Sequence, residues 1–170
     1  VLLADVVETF ADNSANRIPG EKLFYEHVHM TFTGNHQLAQ TLANTIAPSL
    51  PEGISLQGGE RPWLSEADCA RKLAYTNWAR YNNLYKILNF YLRKPPFTHQ
   101  LYQGERIPRI EARLAGLKTQ LTPEALRANA AQYRQRLQEE PGDIWLRWRY
   151  AQLLSAALHD ELAATDHSHF

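Results

Sequence analysis

The stretch Thr122–Leu154, TPEALRANAAQYRQRLQEEPGDIWLRWRYAQLL, decides the fold class of this chain. Thr122, Pro123 and Glu124 supply a capping hydroxyl, a proline at the first helical position and an acid in the first turn, so a helix opens here. Leu126, Ala130, Tyr133 and Leu137 then recur at helical steps and define one apolar face. Pro141-Gly142-Asp143 stops that helix and caps the next, in which Trp145, Trp148, Ala151 and Leu154 continue the pattern. The stretch reads as a helical hairpin.

Upstream, the same grammar repeats. Ser65, with Asp68 three residues later, caps a short helix through Leu73. Thr76 caps the next, whose Trp78, Tyr81, Tyr85, Leu88 and Leu92 form an aromatic-rich stripe that Pro95-Pro96 ends. Leu101–Leu121 carries Ile107, Ile110, Leu114, Leu117 and Leu121 as an apolar seam, with Pro108 either kinking that helix or marking the first turn of a separate one. From Ser65 onward the chain is helical throughout. Downstream, Glu161–Ala164 reads as the start of a further helix and Asp166–Phe170 as a ragged end.

The first part is built differently. Residues 1–60 hold two basic residues against seven acidic ones, whereas residues 61–170 hold sixteen basic against eleven acidic, so a net charge of zero hides an acidic and a basic half. Val1–Val7 is a short apolar, partly β-branched run that reads as a buried strand. Pro19-Gly20 marks a turn, and Leu38, Ala39, Leu42, Ala43 and Ile46 describe an amphipathic helix over Asn35–Ala47, with Thr33 or Asn35 as its cap. Pro48–Pro62 has the composition of a connector. The expected organisation is residues 1–50, a connector at 51–63 and a helical region at 64–170.

Composition narrows the function classes. With 44% hydrophobic residues the chain is too apolar for a disordered segment, and a single cysteine excludes an internal disulfide or a Cys-x-x-Cys redox or zinc site. No run approaches a membrane span. Cys69 reads as a small core residue, and Trp63, Trp78, Trp145 and Trp148 as core rather than a ligand platform. Arg71, Lys72, Arg80, Lys86, Arg93 and their neighbours read as a solvated face with interspersed acids, so no nucleic acid is expected.

The chemical feature is Glu26-His27-Val28-His29. A carboxylate three residues before a histidine can accept the Nδ1 proton, fix the tautomer and stabilise the cation formed when Nε2 takes a proton. An ordinary loop hydrogen bond and a metal site from Glu26, His27, His29 and His36 are the alternatives. Against the metal, His27 and His29 would point to opposite sides of an extended loop. No metal or cofactor is expected.

The stretch Gly20–His36, GEKLFYEHVHMTFTGNH, followed by Leu38-Ala39, resembles the last block of SGNH/GDSL-type hydrolases, whose catalytic acid-x-x-His precedes a terminal helix with a glycine soon after the histidine. It is most similar to large bacterial proteins in which an SGNH-like domain is followed by tetratricopeptide-type helices. The resemblance implies that His29 is a catalytic base and Glu26 its acidic partner, in place of the more usual aspartate. Ala130, Tyr133, Leu137, Pro141, Tyr150-Ala151 and Leu154 resemble the tetratricopeptide pattern, with departures at Arg136, where alanine is usual, and at Leu158-His159-Asp160, which lacks the customary glycine.

The fold implied is mainly α, a short α/β remnant of an SGNH-like domain followed by an all-α array of hairpins. The 170 residues contain no Gly-Asp-Ser or Gly-x-Ser-x-Gly block, so they are expected to be a non-catalytic piece of a longer protein. Its helices would bind a protein partner, and the parent would take an acyl ester. The resemblance further implies a parent anchored in a membrane, facing outside the cytoplasm, with no membrane contact by this part.

Overall fold

A computed structural model describes residues 2–51 and 63–158. The described residues are mainly helical, with seven α-helices, several short 3-10 and π turns, and a single antiparallel bridge between Phe24 and Met30. The chain divides into two compact units, Val1–Cys69 and Ala70–Phe170. Residues 52–62 of the expected connector, and the helix and ragged end expected after residue 160, lie outside the described residues.

In the first unit the strand expected over Val1–Val7 is not formed among the described residues. Leu2–Asp5 carry no regular structure, and Asp5 accepts the Glu8 N–H at 2.9 Å to open helix α1 (Val6–Asp12). The physical reason is that a strand needs a neighbouring ladder, which the described residues do not supply, while an aspartate at an N-cap supplies its own stabilisation. Leu2 and Leu3 are 62% and 80% exposed. Phe10 on α1 is buried and meets Phe24 edge-on at 5.6 Å. α1 packs on α2 (Phe32–Ile46).

α2 begins earlier than expected. Thr31, not Thr33 or Asn35, is the cap, its hydroxyl accepting the Gly34 N–H at 3.1 Å. Residues 64–66 are tied to α2, with Thr33 Oγ1 donating to Glu66 at 2.8 Å and the His36 Nε2 lying 3.0 Å from the Leu64 carbonyl. Ser65 caps α3 (Glu66–Lys72), accepting the Asp68 N–H at 3.1 Å.

The second unit follows its caps. Thr76 opens α4 (Asn77–Lys86), Thr122 opens α6 (Pro123–Glu139) and Asp143 opens α7 (Ile144–Leu153), each side chain accepting the backbone N–H three residues on. Each such cap contributes about 1 kcal/mol. α4 continues as a π-helical segment, Ile87–Leu92, and α5 (Gln103–Thr119) runs as one helix through Pro108. α6 packs on α7, and Ala74, Ala130, Tyr133, Leu146, Tyr150, Leu153 and Leu154 form the buried cluster, with Trp78, Leu126 and Leu137 against it. Tyr133 and Tyr150 stack at 6.0 Å. Leu126, Ala130, Tyr133 and Leu137 therefore face inward as their spacing requires.

Candidate functional site: the Glu26–His29 loop

The loop between Leu23 and Thr31 is closed at its base. Thr31 N–H donates to the Leu23 carbonyl and Tyr25 N–H to the His29 carbonyl, both at 2.8 Å, so the seven residues from Phe24 to Met30 leave and return at one place. The Thr31 hydroxyl donates to the Lys22 carbonyl at 2.7 Å while accepting from Gly34, which fastens the helix start to the entering side of the loop. Asn35 adds a clamp, its side-chain amide donating to the Met30 and Thr31 carbonyls at 3.3 and 3.0 Å. Gly34 is buried, and any Cβ there would run into the Leu23 carbonyl oxygen and lie 3.2 Å from the Met30 Cβ. The loop base and α2 touch backbone to backbone.

Into this closed loop the chain turns Glu26 inward. Its side chain is fully buried, with one carboxylate oxygen accepting from Val28 N–H at 2.9 Å and the other from His29 N–H at 2.7 Å. The second oxygen also accepts from His29 Nδ1, and His27 Nδ1 lies 3.1 Å from the first. Burial alone would push this carboxyl up, but the Val28 N–H and the His29 side chain and N–H outweigh it and hold it below the ordinary glutamate value. Glu26 is therefore a carboxylate at neutral pH.

The consequence for His29 is a fixed tautomer. With Nδ1 donating to Glu26, the neutral ring presents Nε2 as its basic nitrogen, and the side chain keeps 37% of its surface in solvent. A carboxylate behind an accessible imidazole orients Nε2 toward a hydroxyl and can stabilise an imidazolium formed there.

His27 and His29 do not point to opposite sides, as an extended loop would have them. Both address Glu26, because the loop is a tight turn rather than a strand. His36 is apart from them, on the Leu64 carbonyl. Among the described residues no group of three or more His, Cys, Asp and Glu is arranged to hold a metal ion. The spacing of Glu26 and His29 anticipates their contact but does not single out Thr31 and Gly34, which fasten the loop that carries them. The signal was present as a threonine three residues before a glycine, an N-cap at the tight approach of a helix.

The other candidates fall out as follows. Cys69 is partly buried, its Sγ 3.9 Å from the Leu64 carbonyl. Trp78 packs against the core, but Trp63 is 40% exposed, Trp145 67% and Trp148 39%, so the expectation of core is corrected for these three. The reason for the last two is that α7 buries the face carrying Leu146, Tyr150 and Leu153, and these tryptophans lie off it.

An open groove of about 400 Å³ is lined by Arg71, Lys72, Gln132, Gln135, Arg136 and Glu139. Its central cation is already engaged. Arg136 Nε donates to the Lys72 carbonyl at 2.7 Å and its guanidinium pairs with Glu139, so it satisfies the carbonyl end of α3. That role accounts for an arginine at this position. No described helix is long and apolar enough to cross a membrane.

No protein-family model, curated protein or solved structure matches the chain. The chemistry of the site rests on its geometry.

Proposed function

We propose that Glu26 and His29 are the acid–histidine half of a serine ester hydrolase site of the SGNH type, with His29 as general base, and that the serine and oxyanion donors come from outside these 170 residues. The observation that carries the reading is the buried Glu26 carboxylate on His29 Nδ1. A structural carboxylate needs only the two backbone N–H bonds it already accepts. Ordering an imidazole by its Nδ1, with the ring edge left in water, is the further step that proton transfer requires. On this reading residues 2–50 are the end of an SGNH-like domain, and Gly34 and Asn35 are there to hold the base.

The test is covalent labelling of the longer gene product by a fluorophosphonate probe, which reports a nucleophilic serine activated by a base. Labelling lost in His29→Ala with the fold retained supports the reading; undiminished labelling overturns it. The 170-residue chain by itself should turn over p-nitrophenyl acetate no faster than its His29→Ala variant, since a base without nucleophile and oxyanion donors has nothing to activate.

A second reading belongs to residues 70–158. Their stacked helices, in the manner of tetratricopeptide hairpins, serve as a scaffold for a protein partner, a reading favoured by the exposure of Trp145 and Trp148 side by side on α7.

A further inference from the structure

Glu26 holds two imidazoles. His29 Nδ1 donates to one carboxylate oxygen, and His27 Nδ1 lies 3.1 Å from the other. The Glu26 side chain is fully buried, whereas those of His27 and His29 are 57% and 37% exposed, so both rings exchange protons with water directly. Only His29 has a part in the proposed chemistry. His27 is a second titratable group on the same acid.

A carboxylate carries one negative charge. When His27 takes a proton from water, its imidazolium balances that charge. A second cation formed on His29 then meets a compensated carboxylate and a like charge beside it. Each ring therefore lowers the other's affinity for a proton, by the same factor in both directions. Burial of the carboxylate keeps water from between the charges, while the exposed ring edges are screened, which sets the factor at roughly three- to tenfold.

The charges of the neighbouring elements are engaged with groups other than these rings. α1, whose Phe10 meets Phe24 of the loop, carries Asp5 on the Glu8 N–H, and Glu8 and Asp12 on Arg17. α2 carries one titratable residue, His36, on the Leu64 carbonyl, and Glu66 accepts from Thr33. Glu21, Lys22 and Tyr25 belong to the loop and its approach. All of these stay the same whichever residue stands at position 27, so a change there reads the His27–Glu26 contact.

We propose that His27 is a positioning residue for the His29 base, acting through Glu26. Neutral His27 leaves the carboxylate's charge to support an imidazolium on His29, and protonated His27 withdraws that support. The inference deepens the reading of Glu26 and His29 as acid and base and rests on it, but the coupling itself belongs to the 170-residue chain and needs no serine.

The test follows the His29 ring by NMR across pH in the whole chain, in His27→Gln and in His27→Arg. Glutamine keeps a neutral donor at every pH, and arginine keeps a cation. The two variants should differ by about three- to tenfold in the proton affinity of His29, half to one pH unit, with arginine the lower and the unsubstituted chain between them. A purely structural role for position 27 would move both variants the same way, and that result, or coincident titrations, overturns the proposal. The Val28 and His29 amide resonances report whether the loop is intact. Should arginine disturb it, glutamine against the unsubstituted chain decides, an upward shift supporting the proposal and no shift overturning it. Fluorophosphonate labelling of the longer product separates the two readings. His29-dependent labelling with coincident titrations removes the role of His27 alone, and coupled titrations with labelling indifferent to His29 remove the catalytic reading and with it the role of His27 in catalysis.

Discussion

Replacing Glu26 by glutamine keeps its size and removes both its charge and one of its two acceptors. In the structure each carboxylate oxygen takes a backbone N–H, one from Val28 at 2.9 Å and one from His29 at 2.7 Å. An amide can accept at one end only, so whichever way it is turned its NH2 faces an N–H donor. Leaving such a donor unpaired costs about 1–3 kcal/mol, and losing the charge on the remaining bond adds to it. Because Val28 and His29 are partly in water, the lower part of that range applies, and the expected loss is about 2 kcal/mol. Urea titration followed by amide exchange at residues of α1 and α2 measures it in the unit concerned.

The pH profile gives a second reading of the same contact. The Glu26 carboxyl is held below its ordinary value in the folded chain, so the unfolded chain takes up the proton first as pH falls. Its contribution is complete above the unfolded value of about 4.3 and is lost as pH drops through the lower folded value. Glu26→Gln should flatten that acid limb as well as lowering the plateau. A variant that loses less than about 0.5 kcal/mol and keeps the acid limb unchanged would refute the reasoning, since the carboxylate would then not be what closes the loop.

Two further outcomes test the packing. Gly34→Ala should destabilise the first unit by about 1–3 kcal/mol, read by the same titration, because the new methyl collides with the Leu23 carbonyl. Helix propensity alone predicts the opposite sign, a gain of up to about 1 kcal/mol, so the direction decides between close approach and propensity. Tyr133→Phe should leave the second unit as stable or raise it by up to about 1 kcal/mol in thermal unfolding, because its buried hydroxyl has no hydrogen-bond partner among the described residues. A marked loss would mean that Thr76, whose influence opposes the burial that pushes this phenol up, is a true partner.

What was legible in the sequence was local. Thr76, Thr122, Asp143 and Ser65 each cap a helix within three residues of themselves, a relation that spacing alone expresses. The inward face of α6 was legible for the same reason. Illegible were the features that depend on what the chain meets elsewhere. Val1–Val7 has a strand's composition, but Asp5 accepts the Glu8 N–H and turns the run into the start of a helix. Trp145 and Trp148 have helical spacing, yet which face of α7 is buried is decided by α6, and they lie outside it.

The Glu26–His29 loop stands between these cases. The three-residue spacing gives the hydrogen bond, because a turn of that length returns the imidazole to the carboxylate. It does not give burial. Burial comes from Thr31, whose hydroxyl donates to the Lys22 carbonyl, and from Gly34, whose missing Cβ lets the start of α2 rest on the Leu23 carbonyl. A buried carboxylate is costly unless its lone pairs are filled, and here two N–H groups and an imidazole fill them. The same closure that makes Glu26 tolerable in the interior also fixes which nitrogen of His29 faces water. Orientation of the His29 ring is thus a by-product of satisfying the Glu26 carboxylate, and a sequence with the pair but without Thr31 and Gly34 would keep the hydrogen bond's spacing and lose its geometry.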